Sequence, residues 1–309
     1  MNNIELSTIY LPMLDEKYKA EAKTSVLDGD ETVAKKGGNG EIKVAKLDMS
    51  ALGDFDRKSG YTKGNTILTW ETVKYDKERS QDLRIDRLDN AEALGLPFAK
   101  LSGEFMRLHV APETDAARIA KIAGTDGISK KEETLDTGEA VIKALRECTN
   151  KMDEDEVVEG NRILFITPTL LGMLSDMDSY KSKEVLNRFS QVIKVPQSRM
   201  YTKIDLNNGK TEYGFKKAAE GKPINFLCVE KSAVVSAMEQ FVKYFSPDQD
   251  QEGDSHVFKY RNYNLYAHVY ENKLAGIYCS HKAGGVSPAD DIALIGSGEV
   301  GKAKIGKAE

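Results

Sequence analysis

Residues 41–75 carry the pattern that most restricts how this chain can fold. In the segment ILTWETVKY, residues 67–75, successive side chains point to opposite sides, and this period of two predicts a strand. The preceding stretch, residues 47–66, is charged and is punctuated by glycines at 53, 60 and 64, which predict turns. We therefore expect a long hairpin whose tip has too few apolar side chains to form its own core. Such a hairpin is either a flexible loop or a limb that docks on a neighbouring molecule.

Helical spacing replaces this alternation between residues 89 and 124. One apolar stripe has spacings of four, three, four and three, which predicts a single helix, and it consists of Leu94, Phe98, Leu101, Phe105 and Leu108. Pro97 fits the first turn of this helix, where proline is tolerated, and Pro112 is expected to end it. A second, short helix is expected from Asp115 to Ala123, and Gly124 is expected to stop it.

Residues 130–255 alternate between helix and strand patterns. Apolar runs predict strands at RILFIT (162–167), QVIKVP (191–196) and INFLCVE (224–230), whereas amphipathic spacing predicts a helix at SAVVSAMEQF (232–241). Residues 256–282 then return to two strands, which the turn Glu271-Asn272-Lys273 separates. This succession indicates an α/β or α+β protein.

Composition excludes several classes of protein. The 309 residues, with 40% hydrophobic content, suffice for one large or two ordinary domains. The net charge of −5 disfavours wholesale binding to nucleic acid phosphate. No apolar run approaches the roughly 18 residues of a membrane span, and the first residues do not resemble a signal peptide. The three cysteines are widely spaced and odd in number, which suits a reducing compartment and excludes a disulfide framework.

The C-terminal sequence IALIGSGEVGKAKIGKAE imitates two nucleotide-binding motifs. Residues 296–301 match G-x-G-x-x-G, and residues 296–302 match most of a phosphate-binding loop, G-x-x-x-x-G-K. The dinucleotide motif must open a helix and be followed by a further strand, but only eight residues remain after Gly301. The phosphate loop needs Ser or Thr after its lysine, and this chain has Ala303. We therefore expect no cofactor.

Candidate metal and catalytic residues do not form a complete set. Asp248, Asp250 and Glu252 imitate the start of a calcium loop, but its twelfth position, which needs a carboxylate, is Lys259. Cys279 and His281 share a face of a predicted strand, and His268 could join them, but a zinc site has no convincing fourth ligand. No serine or histidine motif of a hydrolase occurs. The sequence thus predicts no catalytic residues, no cofactor-binding residues and no metal site.

Several stretches, in this order, resemble the major capsid proteins of tailed bacteriophages, over about residues 1–282. Residues 75–93 resemble the family's D-R-G-x-x-F-x-I-D-x-x-D-x-x-E stretch, which this chain matches at Asp76, Ile85, Asp86, Asp89 and Glu92. It departs from that stretch at Glu78-Arg79 and Leu83. Residues 105–124 resemble the family's P-E-x-D-A-x-R continuation through Pro112, Glu113, Asp115, Ala116 and Arg118. Residues 192–204, 221–236 and 246–281 are also similar.

The resemblance implies an α+β tailed-phage major capsid fold. Its expected parts are an N-terminal arm (1–40), the first part of a peripheral domain (41–125), an axial α/β domain (126–255), closing strands of the peripheral domain (256–282) and a C-terminal tail (283–309). Within the first part of the peripheral domain, it implies an extended β-hairpin loop (47–75) and a long spine helix (90–111).

The resemblance also implies a function, that of a non-enzymatic structural protein. It implies self-assembly into pentamers and hexamers of an icosahedral shell around double-stranded DNA, which is contacted weakly and without sequence specificity. The shell would be assembled in the bacterial host cytoplasm and found in the virion, away from membranes. The implied partners are a portal, a separate scaffolding protein, since the arm is short, and possible decoration proteins.

Four residues are expected at contacts between subunits: Arg57, Lys58, Lys63 and Trp70. The lysines could instead be solvated or ion-paired, and Trp70, the only tryptophan, could instead be a core residue. Two other functions stay open. One is the shell of a cellular nanocompartment with the same fold, which would need a cargo-binding inner surface. The other is a soluble α/β enzyme, which would need a convergent catalytic set.

Overall fold

The computed structural model describes residues 22–29, 34–36, 41–58, 60–87, 103–177, 180–250 and 253–282. Among them, two compact units are distinguished. The first unit contains residues 25–87 and Val234–Val269, and the second contains residues 22–24, 103–233 and 270–282. The domain boundaries that the resemblance implies stay a prediction. No helix in the described ranges is long and apolar enough to cross a membrane.

Within the described residues, the two units contain the following strands and α-helices. The strands are β1 (Ala34–Lys36), β2 (Glu41–Met49), β3 (Thr66–Lys74), β4 (Lys77–Asp86), β5 (Ser129–Glu132), β6 (Arg162–Ile166), β7 (Gln191–Lys194), β8 (Ile204–Leu206), β9 (Phe215–Lys217), β10 (Ile224–Glu230), β11 (Val234–Phe245), β12 (Ser255–Val269) and β13 (Ile277–His281). The α-helices are α1 (Ala111–Gly124), α2 (Gly138–Glu154), α3 (Pro168–Asp176) and α4 (Tyr180–Asn187).

The first unit contains two antiparallel sheets. One has the order β1-β2-β3 and the other the order β11-β12-β4. β2 and β3 pair from Glu41–Lys74 to Met49–Thr66, so the strand and hairpin expected within residues 41–75 are present. The predicted helix at residues 232–241 is wrong, because Val234–Phe245 is a strand. Its β-branched start and the alternation of exposed Phe241 with buried Val242 suit pairing with β12, and this tertiary partner overrides the helical spacing.

The second unit is built on a five-stranded sheet with the order β5-β13-β10-β6-β7. β10 is antiparallel to β13 and β6, whereas the outer pairs β5–β13 and β6–β7 are parallel. β6 and β10 are buried along their whole lengths, as their uninterrupted apolar sequences predict. The turn between residues 256–270 and 274–282 suggests a hairpin of two paired strands, and that interpretation is wrong. A 3₁₀ turn at Glu271–Gly276 separates them, and β13 enters this sheet while β12 pairs with β11 and β4.

The main core of the second unit lies between this sheet and three helices, α2, α3 and α4. Phe226 and Tyr278, on neighbouring strands, stack with ring centroids 6.1 Å apart and planes inclined by 7°. Val141, Leu145 and Cys148 form the buried face of α2. α2 begins where the Thr137 side chain accepts a hydrogen bond from the Ala140 backbone N–H at 3.3 Å.

Proline 112 does not end its helix. The chain is helical from residue 103 to Gly124, with a π-helical turn at Met106–Val110 directly before α1. In that turn the Ala111 backbone N–H donates to the Met106 carbonyl, five residues back. This wider turn accommodates Pro112, which lacks an N–H and would otherwise crowd the preceding turn. The predicted break at Pro112 is therefore wrong. Most of the predicted spine helix, up to residue 102, lies outside the described residues.

Gly221 is required where the chain turns towards β10. A Cβ at this position would lie 2.4 Å from the Lys203 carbonyl oxygen and 3.0 Å from the Ala218 carbonyl oxygen. Backbone oxygens cannot move aside as a side chain can, so we expect Gly221→Ala to lower the free energy of unfolding by about 2 kcal/mol or more. Urea denaturation measures this loss. Gly160→Ala is the control, since its Cβ would meet nothing within 4 Å, and an equal effect of both substitutions would contradict the prediction.

Candidate assembly surface

The hairpin is fixed at its root to strand β12 of the same unit. The Asp76 backbone N–H donates to the Asn264 carbonyl at 2.8 Å, and the Asp76 carboxylate accepts from the Tyr266 backbone N–H at 3.0 Å. The ring of Tyr75 lies 5.1 Å from that of Tyr263. Burial, and then the Glu239 carboxylate, raise the pKa of Tyr75 above its usual value, so this hydroxyl stays neutral. The C-terminal end of β3 is therefore followed directly by residues that are fixed to β12.

The tip of the hairpin is ordered by its own hydrogen bonds. The backbones of Ser50 and Asn65 are joined at 3.0 Å, and the Ser50 hydroxyl accepts from the Asn65 N–H at 2.9 Å. Further out, Asp56 and Gly60 exchange two backbone hydrogen bonds, of 3.3 and 2.7 Å. Gly60 has φ +84°, a backbone conformation that glycine adopts without strain. The tip is therefore a narrow continuation of the two strands.

Apolar side chains of this hairpin point into solvent. Leu52 is 103% exposed, Tyr61 89% and Phe55 59%, and the rings of Phe55 and Tyr61 contact each other edge-on at 5.1 Å. Ile67 and Leu68 are consecutive on β3 and so lie on opposite faces, yet both are exposed. We define the hairpin patch as Met49, Leu52, Phe55, Tyr61, Ile67, Leu68 and Trp70. Isolated exposed apolar residues are ordinary, but seven of them on one hairpin make it the candidate interaction surface.

The four residues predicted at contacts between subunits all lie on this hairpin. Arg57, Lys58 and Lys63 are exposed on the connection between β2 and β3, and the Lys58 backbone N–H donates to the Asp56 carboxylate at 2.9 Å. Trp70 lies midway along β3, opposite Ala45 of β2, and is 42% exposed, so it is not a core residue of this chain. Their role between subunits stays a prediction. The sequence alone did not single out Leu52, Phe55 and Tyr61, whose exposure depends on the tip conformation.

The open face of the β11-β12-β4 sheet differs from the hairpin patch, because cations of the same chain cover its rings. The Arg261 guanidinium lies 5.7 Å from the rings of both Phe241 and Tyr263 and pairs with the Glu78 carboxylate. Lys259 Nζ lies 5.6 Å from the Phe245 ring. Each cation–π contact at an exposed site contributes about 0.5–1 kcal/mol. The rings on this face are thus partly covered by cations of the same chain. The hairpin patch is therefore the better candidate for an interface.

No group of three metal-ligating side chains gathers within the described ranges. Cys148, Cys228 and Cys279 are buried free thiols. Burial raises the pKa of the Cys279 thiol to about 12 and raises that of the Cys148 thiol well above its usual value. His281 contacts the Lys282 carbonyl oxygen through Nδ1, and His268 lies 3.8 Å from the Glu71 carboxylate. These cysteine and histidine side chains have separate contacts and do not form one metal or catalytic site.

The buried thiols are expected to resist alkylation in the folded chain. The thiolate is the nucleophile, and at pH 8 a thiol of pKa about 12 is ionised in only about one molecule in ten thousand. Native protein should therefore incorporate almost no iodoacetamide, whereas protein in concentrated urea should take up one group at each cysteine. Mass spectrometry measures both states. Rapid labelling of Cys148 or Cys279 in the native chain would contradict the buried core described here.

Several solved structures share the fold described above. No protein-family model and no curated protein sequence matches the chain. A structure from Mycobacterium phage Che8 is 14% identical, with a TM-score of 0.52, covering 84% of this chain and 90% of that chain. The capsid structure of cyanophage P-SCSP1u is 13% identical, with a TM-score of 0.51, covering 81% and 85%. The chain has the tailed-phage major capsid fold. The capsid structure of Staphylococcus phage Andhra has a TM-score of 0.50 at 9% identity, covering 84% and 83%.

The match confirms the predicted class, a mixed α+β capsid fold, over most of the chain. At identities of 9–14%, the likeness is one of fold, and the roles of particular residues do not follow from it. The function must therefore be argued from the surfaces of this chain.

Proposed function

We propose that this chain is a structural capsid protein that assembles with copies of itself into a shell. The observation that carries the proposal is the hairpin patch, a set of exposed apolar side chains on a limb fixed at its root, in a chain with the capsid fold. Burying one large apolar side chain contributes about 1.5–3 kcal/mol. A second copy of this chain offers a surface on which these side chains leave water.

Repeated contacts of this kind favour a closed shell. Head-to-tail contacts between identical subunits close into rings when the rotation between neighbours completes a circle. Each contact can be weak, because a subunit held by several neighbours at once rarely escapes. We propose that the rings are pentamers and hexamers of an icosahedral shell, with Arg57, Lys58, Lys63 and Trp70 at the contacts between subunits.

The proposed contents of the shell are double-stranded DNA, held without sequence specificity. A net charge of −5 disfavours tight binding to phosphate, which suits a container that must release its contents. The proposed location is the virion capsid after assembly in the bacterial cytoplasm. A separate scaffolding protein, a portal and possible decoration proteins are the proposed partners.

Assembly is tested by light scattering and sedimentation of the purified chain, both alone and co-expressed with its neighbouring genes. We expect particles of many subunits, or rings of five or six, in at least one of the two preparations. A monomer or dimer in both preparations would count against the proposal. Closed shells that contain no nucleic acid when formed in infected cells would favour the nanocompartment alternative.

A further inference from the structure

Asp115, on helix α1, holds a segment of chain that lies 91 positions earlier in the sequence. Its carboxylate is fully buried and accepts four hydrogen bonds. Oδ1 accepts from the Thr24 backbone N–H at 2.9 Å and from the Thr24 hydroxyl at 2.7 Å. Oδ2 accepts from the Lys23 backbone N–H at 3.0 Å and from Arg199 Nη1 at 3.0 Å. One carboxylate therefore fixes two consecutive peptide groups.

Arg118 completes this arrangement from the same helix. It is buried and lies three residues after Asp115, so the two side chains share one face of α1. Arg118 Nη1 donates to the Thr24 carbonyl at 3.1 Å. The backbone N–H and the carbonyl of Thr24 are thus both held by charged groups of α1. We call Asp115, Arg118 and Arg199, together with residues 23–24, the arm clasp.

The chemistry of the arm clasp suits positioning better than stability. Buried ion pairs are often no more stable than well-packed apolar residues of the same volume, because the charges lose their hydration. Charge-assisted hydrogen bonds, however, are directional, and four of them hold residues 23–24, three through the backbone and one through the Thr24 hydroxyl. An apolar contact would allow the chain to slide.

The sequence before the clasp gives this positioning a use. Its apolar side chains include Ile4, Leu6, Ile9, Leu11 and Leu14. A fixed root at residue 23 limits where those side chains can be placed when copies of the chain meet. We propose that the arm clasp is a positioning site for assembly, so that assembly with a second copy depends on Asp115 and Arg118. This inference rests on the proposed function.

Trypsin tests the clasp in the unassembled subunit, because the bond after Lys23 is the one that the clasp holds. We expect Asp115→Asn to increase cleavage at this bond by at least about tenfold, because the substitution removes the negative charge that strengthens the hydrogen bonds to the Lys23 and Thr24 peptide groups. Mass spectrometry identifies the cut. Asp126→Asn is the control, because it makes the same substitution at an exposed position just after α1.

Assembly yield tests the positioning. We expect Asp115→Asn to lower the yield of assembled particles at least about tenfold while circular dichroism stays native, with Asp126→Asn unchanged. Unchanged cleavage in folded Asp115→Asn would overturn the clasp, and rapid cleavage with a wild-type yield would overturn its role in assembly. If Asp115→Asn does not fold, Thr24→Val decides, since it removes only the 2.7 Å hydroxyl bond. It should shift both readouts in the same directions, and no shift overturns the inference.

The two proposals fail in distinguishable ways. If the wild-type chain assembles under no condition, the proposed function fails and the assembly role of the clasp fails with it. If wild type assembles and Asp115→Asn assembles equally well, only the further inference fails.

Discussion

The double variant Leu52→Ser/Phe55→Ser is expected to remain a folded, soluble subunit that forms no closed shells. Both side chains are exposed in the single chain, and only the Phe55–Tyr61 ring contact is lost, so their replacement should lower the free energy of unfolding by no more than about 1.5 kcal/mol. At an interface, each would contribute about 1.5–3 kcal/mol, and every subunit would lose both contributions. Since a shell depends on many such contacts at once, we expect the assembled fraction to fall below detection.

Sedimentation and thermal unfolding of the same samples separate assembly from folding. Val158→Ser is the matched control, because Val158 is also apolar and 65% exposed but lies outside the hairpin patch. It should assemble as wild type does. If the double variant forms shells at the wild-type yield, the hairpin patch is not the interface.

Phe226→Ala is expected to lower the free energy of unfolding by about 3–5 kcal/mol. Phe226 is fully buried on β10, stacks on Tyr278 and packs in the core formed with α2, so its removal leaves a cavity. The same substitution at Phe241 should cost about 1 kcal/mol or less. That ring is 48% exposed and contacts the Arg261 guanidinium at 5.7 Å. Urea denaturation measures both, and similar losses at the two positions would contradict the burial described here.

The sequence predicts those parts of the fold that depend on local patterns. The strands β6 and β10 are uninterrupted apolar runs, and β3 alternates between faces, so each could be recognised without its partner. The segment Val234–Phe245 cannot be identified as a strand from the sequence alone, because its apolar spacing also suits a helix and its strand partner, β12, is formed by a separate segment. Proline ends a helix in most settings. Pro112 does not, because the π-helical turn before it avoids the clash between the proline ring and the preceding helical turn.

The candidate surface could be predicted only in outline. Alternation and glycine spacing predict the hairpin, but the exposure of Leu52, Phe55 and Tyr61 depends on how the tip folds back through Ser50 and Asn65. The role of Asp115 is equally hidden, because the two peptide groups that it binds belong to the chain start. A sequence motif can mark such a residue without indicating what it holds.

The most direct test of the account is a cryo-electron microscopy reconstruction of the particles that this chain forms. The account predicts a closed shell with icosahedral symmetry in which Leu52, Phe55 and Tyr61 of each hairpin are buried against a neighbouring copy. A shell in which the hairpin patch faces solvent would contradict the proposed interface. A chain that forms no closed particle, alone or with the products of its neighbouring genes, would contradict the central claim that it is a capsid protein.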